Sequence, residues 1–295
     1  MLNWSEPALE LISFLGSYLA IGVIGFRYGV LGRARASDQL DDGREGIFLR
    51  AASRAALLGL LGTIISTVLL LHGAMNQAAA KHLTMAEVLT AGQGLGAAKL
   101  GLYAVALVGF ALCAARSRIA WSVTGVAVII AALINVFTGR WATLVNPVHV
   151  LAGSLWIGTL FVLMAIGLPA VLASSQSGSE KARTVADLVN AYSPMALVSV
   201  AVLAISGVVT AWRHLKYVAA LWTTSYGFAL IVKLCVVVIV LALGAWNWRR
   251  VRPSLGTEAA TGALRRSATA ELAFAGLVLL ITSVLVSLPS PKLPH

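Results

Sequence analysis

Hydrophobic residues in this sequence come in long runs separated by short polar stretches, and these runs define the predicted elements. Eight runs each supply about 20 mostly apolar residues, the length that a transmembrane helix needs. None shows the strict apolar and polar alternation of a membrane β-barrel strand. Because lipid offers no hydrogen-bond partners, each run should satisfy its backbone internally, as a helix does. The eight predicted spans are residues 9–31, 51–72, 95–115, 119–138, 147–172, 190–213, 226–248 and 267–288.

The predicted fold is therefore all-α, a polytopic membrane bundle of eight transmembrane helices. Composition agrees, because 59% of the 295 residues are hydrophobic and 11% are charged, against about 45–50% and about 25% in soluble domains. This balance excludes a soluble globular protein and a disordered chain. It also excludes a nucleic-acid binder despite the net charge of +11, since the charges lie in short loops rather than on a folded basic face.

Lysine and arginine are unevenly shared between the two sides of the predicted bundle. The loops after spans one, three, five and seven hold thirteen of these residues, and the opposite side holds five. Short basic loops face the cytoplasm, so both termini are predicted to lie outside, in the periplasm. The N-terminus lacks the basic segment of a signal peptide, and we expect the first span to be retained.

A faint internal repeat divides the predicted bundle into two membrane halves. Gly94 precedes Lys99 at the start of span three much as Gly227 precedes Lys233 at the start of span seven. Four helices in each half would be related by an axis along the membrane normal. The predicted halves are residues 1–139 and 140–295.

All five histidines fall at the outer face in this topology, and two methionines join them in the outer loop. Imidazole binds copper in both oxidation states and thioether favours Cu(I), so these residues are candidate copper ligands. The alternative is that histidines at an interface are simply solvated, which is our interpretation of His295 on the tail. His72, Met75 and Asn76 share a face if the helix of span two continues beyond His72. The candidate metal ligands are His149, His72, Met75, His214, His82 and Met85.

Two lysines lie inside predicted spans. Lys233 follows Tyr226 by seven residues, about 10 Å of helix, and an intramembrane charge costs about 2.5–3.5 kcal/mol. Lys233 is therefore interpreted as functional, with the alternative that its long stem reaches back to the headgroups. Lys99 lies nearer its span's start and fits that alternative better.

Other polar residues mark the ends of the predicted helices. Glu271 lies near the start of span eight and is interpreted as structural, paired with Arg265 or Arg266. In the outer loop, Thr84 followed by Glu87 is a capping-box pattern, which predicts that a short helix begins there.

Span five contains the segment H-V-L-A-G-S-L-W-I-G at residues 149–158, in which His149, Gly153 and Trp156 share one helix face. Further segments follow in order: S-G-V-V-T-A-W at 206–212, Y-G and K-L within 226–234, and N-W-R-R at 247–250. Together they resemble the copper-resistance protein D (CopD) family over about residues 140–252, and residues 1–139 resemble it in layout.

The resemblance implies an inner-membrane protein, not an enzyme, that carries copper from the periplasm towards the cytoplasm. It also implies a periplasmic copper-binding partner of the CopC type. The residues it carries over are His149 as a ligand, and Trp156, Tyr226, Lys233 and Asn247 along the transport path. The sequence has no Walker motif for ATP.

Two other functions remain open at this point. The first is a haem b electron-transfer bundle with His72, His149 or His214 as axial ligands. The second is a copper-sensing or docking membrane protein that does not transport.

Overall fold

The computed structural model describes residues 5–36, 42–91, 94–134, 145–215, 217–251 and 257–289, and their regular structure is helical throughout. The predicted all-α membrane bundle is confirmed. Seven helices are long and apolar enough to cross a membrane, and the predicted fourth span is a shorter apolar helix. The predicted boundary at residues 139 and 140, and His295, lie outside the described residues. The helices are α1 Ser5–Ala36, α2 Gly43–Lys81, α3 Met85–Thr90, α4 Leu95–Ala114, α5 Arg118–Leu133, α6 Val145–Leu172, α7 Gly178–Leu215, α8 Ala220–Thr223, α9 Ser225–Arg250 and α10 Ala259–Ser287.

Hydroxyl side chains begin several of these helices by accepting hydrogen bonds from backbone N–H groups of the first turn. Ser117 caps α5 through the N–H of Ala120. Thr224 caps α9 through the N–H of Gly227. These caps lie in the short connections between spans and fix where the next helix begins.

Three of the long helices contain π-helical turns, which are rare and are frequent at functional sites. One lies in α1 at Phe26–Gly32, and two lie in α6 at Ser154–Gly158 and Leu163–Gly167. Another ends α9 at Asn247–Val251. Two of these turns hold Trp156 and Asn247, which sequence analysis assigns to the transport path.

Helix α1 lies at the centre of the bundle and packs against α2, α5, α6 and α10. Glycines permit the closest approach, where α1 meets α6. A Cβ on Gly22 would lie 2.8 Å from the Cα of Gly158. Gly153 lies against the ring of Tyr18 in the same interface. Gly153 and Gly158 therefore admit a neighbouring helix, and that neighbour is span one.

Large apolar side chains cover the outside of the bundle. Ile119, Leu197, Val208 and Val238 are all more than half exposed. A soluble protein would not present so much apolar surface in one piece. The surface is suited to lipid, in agreement with the hydropathy of the helices.

The two ends of the bundle differ in chemistry. We call the end that carries His72, His149 and His214 the histidine end. The arginine-rich end carries Arg35, Arg44, Arg249 and Arg265. There, Arg35 pairs with Glu45 and Arg44 pairs with Asp187, each at 2.9 Å. The second pair ties α2 to α7 across the bundle.

Candidate functional site

His149 lies in the second turn of α6, at the histidine end. Its Nδ1 is 2.9 Å from the hydroxyl oxygen of Ser206 on α7. Ser206 donates its own proton to the carbonyl of Val202, at 2.6 Å, so the hydroxyl oxygen accepts from Nδ1. This pattern assigns the ring proton to Nδ1. Nε2 is then the nitrogen that could bind a metal.

A glycine on α7 lets the imidazole lie against that helix. A Cβ at Gly207 would lie 3.4 Å from Cε1 of His149, so a larger residue would press on the ring. The ring is half-buried and is held by Ser206 and Gly207 together. Such contacts orient a ligand before the metal arrives, as outer-shell partners do in metal sites.

Lys233 approaches the same imidazole from α9. It lies close enough for its positive charge to act on His149. The side chain is only partly exposed within a span. The structure therefore brings together two residues that sequence analysis selected separately, one as a ligand and one as an intramembrane charge.

A second polar group lies further out on the same face of α7. Ser206, Thr210 and His214 are spaced by four residues, which places them along one stripe of the helix. Nδ1 of His214 donates to the carbonyl of Thr210 at 2.8 Å, and its ring stacks on Tyr226 with centroids 6.0 Å apart. The hydroxyl of Thr210 is buried and has no hydrogen-bond partner among the described residues. Such a group is suited to a bound water or ion.

The outer part of α2 carries the other candidate ligands. The helix continues to Lys81, so His72, Met75 and Asn76 share a face as predicted. Nδ2 of Asn76 lies 3.1 Å from Nε2 of His72, and both side chains are exposed. His82 follows the helix end with a φ of 54°, in the left-handed region in which helices commonly end.

The predicted capping box in the outer loop is confirmed. The hydroxyl of Thr84 accepts from the N–H of Glu87, and the Glu87 carboxylate accepts from the N–H of Thr84 at 2.7 Å. These hydrogen bonds, with the backbone one the larger cause, hold the pKa of the Glu87 carboxyl below its usual range. The helix that starts here, α3, holds Met85 half-buried in its first turn.

The six candidate ligands thus occupy two regions of the histidine end. His149 and His214 lie on α6 and α7, and the rest lie on α2, the turn after it and α3. In the part of the chain that the structure describes, no three His, Cys, Asp or Glu side chains group as a metal site. The copper ligand set stays a prediction.

Deeper in the bundle, side chains from two other spans converge on a buried carboxyl group. Glu271 of α10 is 6% exposed. It accepts a hydrogen bond from Nδ2 of Asn247 at 3.2 Å and another from the Trp156 side chain. The hydroxyl of Ser267 donates to the other end of the Asn247 amide, which fixes the orientation of that amide. Glu271 thus joins two residues of the predicted transport path, Trp156 and Asn247, although Glu271 itself is not predicted to line that path.

Beside this network lies a cavity of about 520 Å³ between α6, α7, α9 and α10. Most of its lining is apolar, and the polar lining includes Glu271, Asn247, Ser193 and Arg249. The Tyr192 hydroxyl donates to the backbone carbonyl of Trp156 at 3.1 Å and closes one wall. A cavity of this size, with a few convergent polar groups, is typical of a binding site.

The predicted pairing of Glu271 with Arg265 or Arg266 is wrong. Both arginines are exposed on α10, whereas Glu271 is buried and bonds to Asn247 and Trp156. The physical reason is helical spacing. Residues five or six apart lie on different faces, whereas Ser267, four residues before Glu271, shares its face.

Comparison with known proteins identifies the family resemblance. Residues 186–285 match the family model described as Copper resistance protein D. This confirms the resemblance seen in the sequence motifs, over a segment shifted towards the C-terminus. The copper transport protein CutJ of Bacillus subtilis is 31% identical over 171 residues, which are 55% of this chain. The chain covers 29% of the length of that relative. No solved structure matches.

Proposed function

Because residues 186–285 match the model of the copper-resistance protein D family, we propose that this multi-pass membrane protein transports copper across the bilayer. The matching relative is named a copper transport protein, and the match supports a transporter rather than an enzyme. We place the protein in the inner membrane and infer that copper moves from the periplasm towards the cytoplasm.

The observation that carries the proposal is the setting of His149. Its Nδ1 bonds to Ser206, its Nε2 is the nitrogen suited to a metal, and the ring is half-buried at the end of a span. Beside it, α7 presents the unpartnered hydroxyl of Thr210. An imidazole oriented in this way, near the mouth of a helical bundle, is suited to receive a copper ion from outside.

We propose that His149 is the central ligand of an outer copper site. His214, and the pair His72 and Met75, would complete it, since two imidazoles and a thioether suit copper. His82 and Met85 would act as a gate, because they lie in and beside the turn that follows α2. Such a site should bind weakly enough to release its ion inward.

Four further residues would line the path away from this site: Tyr226, Lys233, Trp156 and Asn247. Lys233 lies close to His149, and Trp156 lies about 10 Å further along the same helix as His149. Asn247 is hydrogen-bonded through Glu271 to Trp156. This order leads from the histidine end towards the arginine-rich end.

The proposed partner is a periplasmic copper-binding protein of the CopC type, which would deliver the ion to the histidine end. The exposed α3 and the end of α2 are the elements that such a protein would meet first. The proposal therefore requires the histidine end to face the periplasm.

Copper uptake into proteoliposomes tests the function. Purified protein in sealed vesicles should accumulate copper faster than protein-free vesicles of the same lipids. Binding without uptake would instead indicate a copper-sensing or docking protein. A strong Soret band in the purified protein would indicate a haem cytochrome.

Orientation gives a separate prediction. Short loops rich in Lys and Arg face the cytoplasm, so a reporter fused after Pro294 and active only in the periplasm should be active. The matched fusion in the basic loop between spans seven and eight, after Gly256, should be inactive. The reverse pattern would place the histidine end in the cytoplasm and contradict uptake from outside.

The charge of Lys233 should oppose copper binding at His149. Lys233→Met keeps the length of the side chain and removes the charge, and the loss of a nearby like charge is worth roughly 1–2 kcal/mol in a partly buried setting. Copper affinity should therefore rise about tenfold, and release into the vesicle should slow. Isothermal titration with purified protein measures the first effect.

Lys99→Met is the matched control, because Lys99 is also an intramembrane lysine but lies 5.8 Å from the Tyr103 ring on α4. It should bind and transport copper as the wild type does. If both lysine variants match the wild type, Lys233 is a residue that reaches the headgroups and has no role in transport.

A further inference from the structure

Glu271 is an unusual group in this bundle. Among the described residues it is the one acidic side chain that is buried. It lies within the predicted span eight, and ionisable groups at such positions mark ion paths and proton relays. The outer copper site does not use it, and no described side chain forms a salt bridge with it.

The partners of Glu271 identify the kind of ion that the site suits. Nδ2 of Asn247 and the indole of Trp156 are hydrogen-bond donors, with no lone pair to offer. The Asn247 oxygen, which could bind a metal, is occupied by the Ser267 hydroxyl. A metal ion needs several lone-pair ligands around it. Burial without a salt-bridge partner among the described residues favours the neutral acid, whereas the two donors stabilise the carboxylate. Both the protonated and the charged form of Glu271 are therefore accessible, as a proton-binding group requires.

The cavity beside Glu271 gives the proton a route. Glu271 and Asn247 line it, and so do Trp248 and Arg249 at the arginine-rich end of α9. With a volume of about 520 Å³, it has room for several water molecules. The buried carboxyl group is therefore connected to the boundary of the bundle rather than sealed in the core.

Few other titratable or charged groups face Glu271 from the helices packed around it. Tyr192 of α7 lies close enough for an electrostatic interaction, and Arg249 of α9 lines the cavity. On α10 itself, Arg265 and Arg266 are exposed. From α1, Tyr18 packs against Gly153 instead.

We propose that Glu271 is a proton-binding site and that its proton moves in exchange for copper. The carboxylate takes up one proton to become the neutral acid, and it releases that proton through the cavity. The link to copper is α6, which carries His149 and, about 10 Å further on, the Trp156 that bonds to Glu271. The exchange rests on the proposed transport function, whereas the proton site does not.

The proton site is tested on the purified protein without copper. Infrared difference spectra across a pH titration should show a carboxylic-acid band that Glu271→Gln removes. The band should shift in Glu271→Asp, which keeps an acid at a shorter reach. Glu10→Gln is the control, since it alters a half-buried carboxyl group near the start of α1, away from Glu271. It should leave the band in place. A band unchanged in Glu271→Gln would overturn the proton site.

The exchange is tested in proteoliposomes that contain a pH-sensitive dye. Copper entry should drive protons out of wild-type vesicles. Glu271→Gln should lose this proton movement while still binding copper at the outer site. Copper uptake with no proton movement in the wild type would overturn the exchange and leave the transport function intact. If copper does not enter at all, the transport function and the exchange both fail, and the infrared band alone decides the proton site.

Discussion

Replacing His149 with alanine is expected to abolish copper binding by the purified protein. The substitution removes the nitrogen that we assign to the metal, and leaves Ser206 without its imidazole partner. Groups that merely orient a metal ligand contribute about 10–100-fold to affinity, so loss of the ligand itself should weaken binding by more than about 100-fold. Equilibrium dialysis against copper measures this loss of affinity directly. Uptake into proteoliposomes should fall to the level of empty vesicles.

Two companion variants separate ligation from folding. Ser206→Ala removes the hydrogen bond that orients His149 but keeps the ring, so binding should weaken by about 10–100-fold rather than vanish. His295→Ala changes a histidine on the tail and should bind copper as the wild type does. Retained stoichiometric binding in His149→Ala would refute the assignment. His82 and Met85 would then be the better candidates.

Hydropathy predicts the order of the apolar helices, because the length of each apolar run is set by the bilayer. The predicted number of eight spans is approximate, since seven of the described helices are long enough to cross a membrane and the fourth apolar helix is shorter. Hydropathy could not predict where the helices end. α2 continues nine residues beyond the predicted end at His72, and α7 begins at Gly178 rather than 190. The extensions are polar or mixed in sequence. They stay helical because a helix already started adds each further residue at little cost.

Part of the candidate site could be predicted from residue types alone. His149 is a candidate because all five histidines fall at the outer face and imidazole binds copper, and Lys233 is one because a charge inside a span is unusual. Their proximity could not be predicted, since it depends on how α6, α7 and α9 pack. The division of the candidate ligands into two regions could not be predicted either, because it also depends on how the helices pack.

The wrong prediction of an ion pair for Glu271 has a different cause. Two arginines close in sequence suggested a local ion pair, but helical periodicity directs them to other faces. Applying the spacing of three or four residues would have identified Ser267 as its neighbour on α10. Asn247 and Trp156 could not have been found in this way, because they come from other helices.

Replacing Gly158 with alanine is expected to destabilise the bundle strongly. At this point α6 crosses α1 so closely that a Cβ on Gly158 would lie 3.2 Å from the Cα of Gly22, and still closer to the backbone of Tyr18. Backbone atoms on both sides cannot move aside as a flexible side chain can. Overpacking of a tight core costs about 1–3 kcal/mol, and here the upper end applies.

Gly276→Ala is the matched control, since Gly276 lies in α10 with no atom within 4 Å of its added Cβ. Alanine is better than glycine in a helix by about 1 kcal/mol, so this variant should be as stable as the wild type or slightly more so. Thermal unfolding in detergent should separate the two variants clearly. Because α6 carries both His149 and Trp156, Gly158→Ala should also lower copper binding. A Gly158→Ala protein with wild-type stability would mean that α1 and α6 do not cross at these glycines.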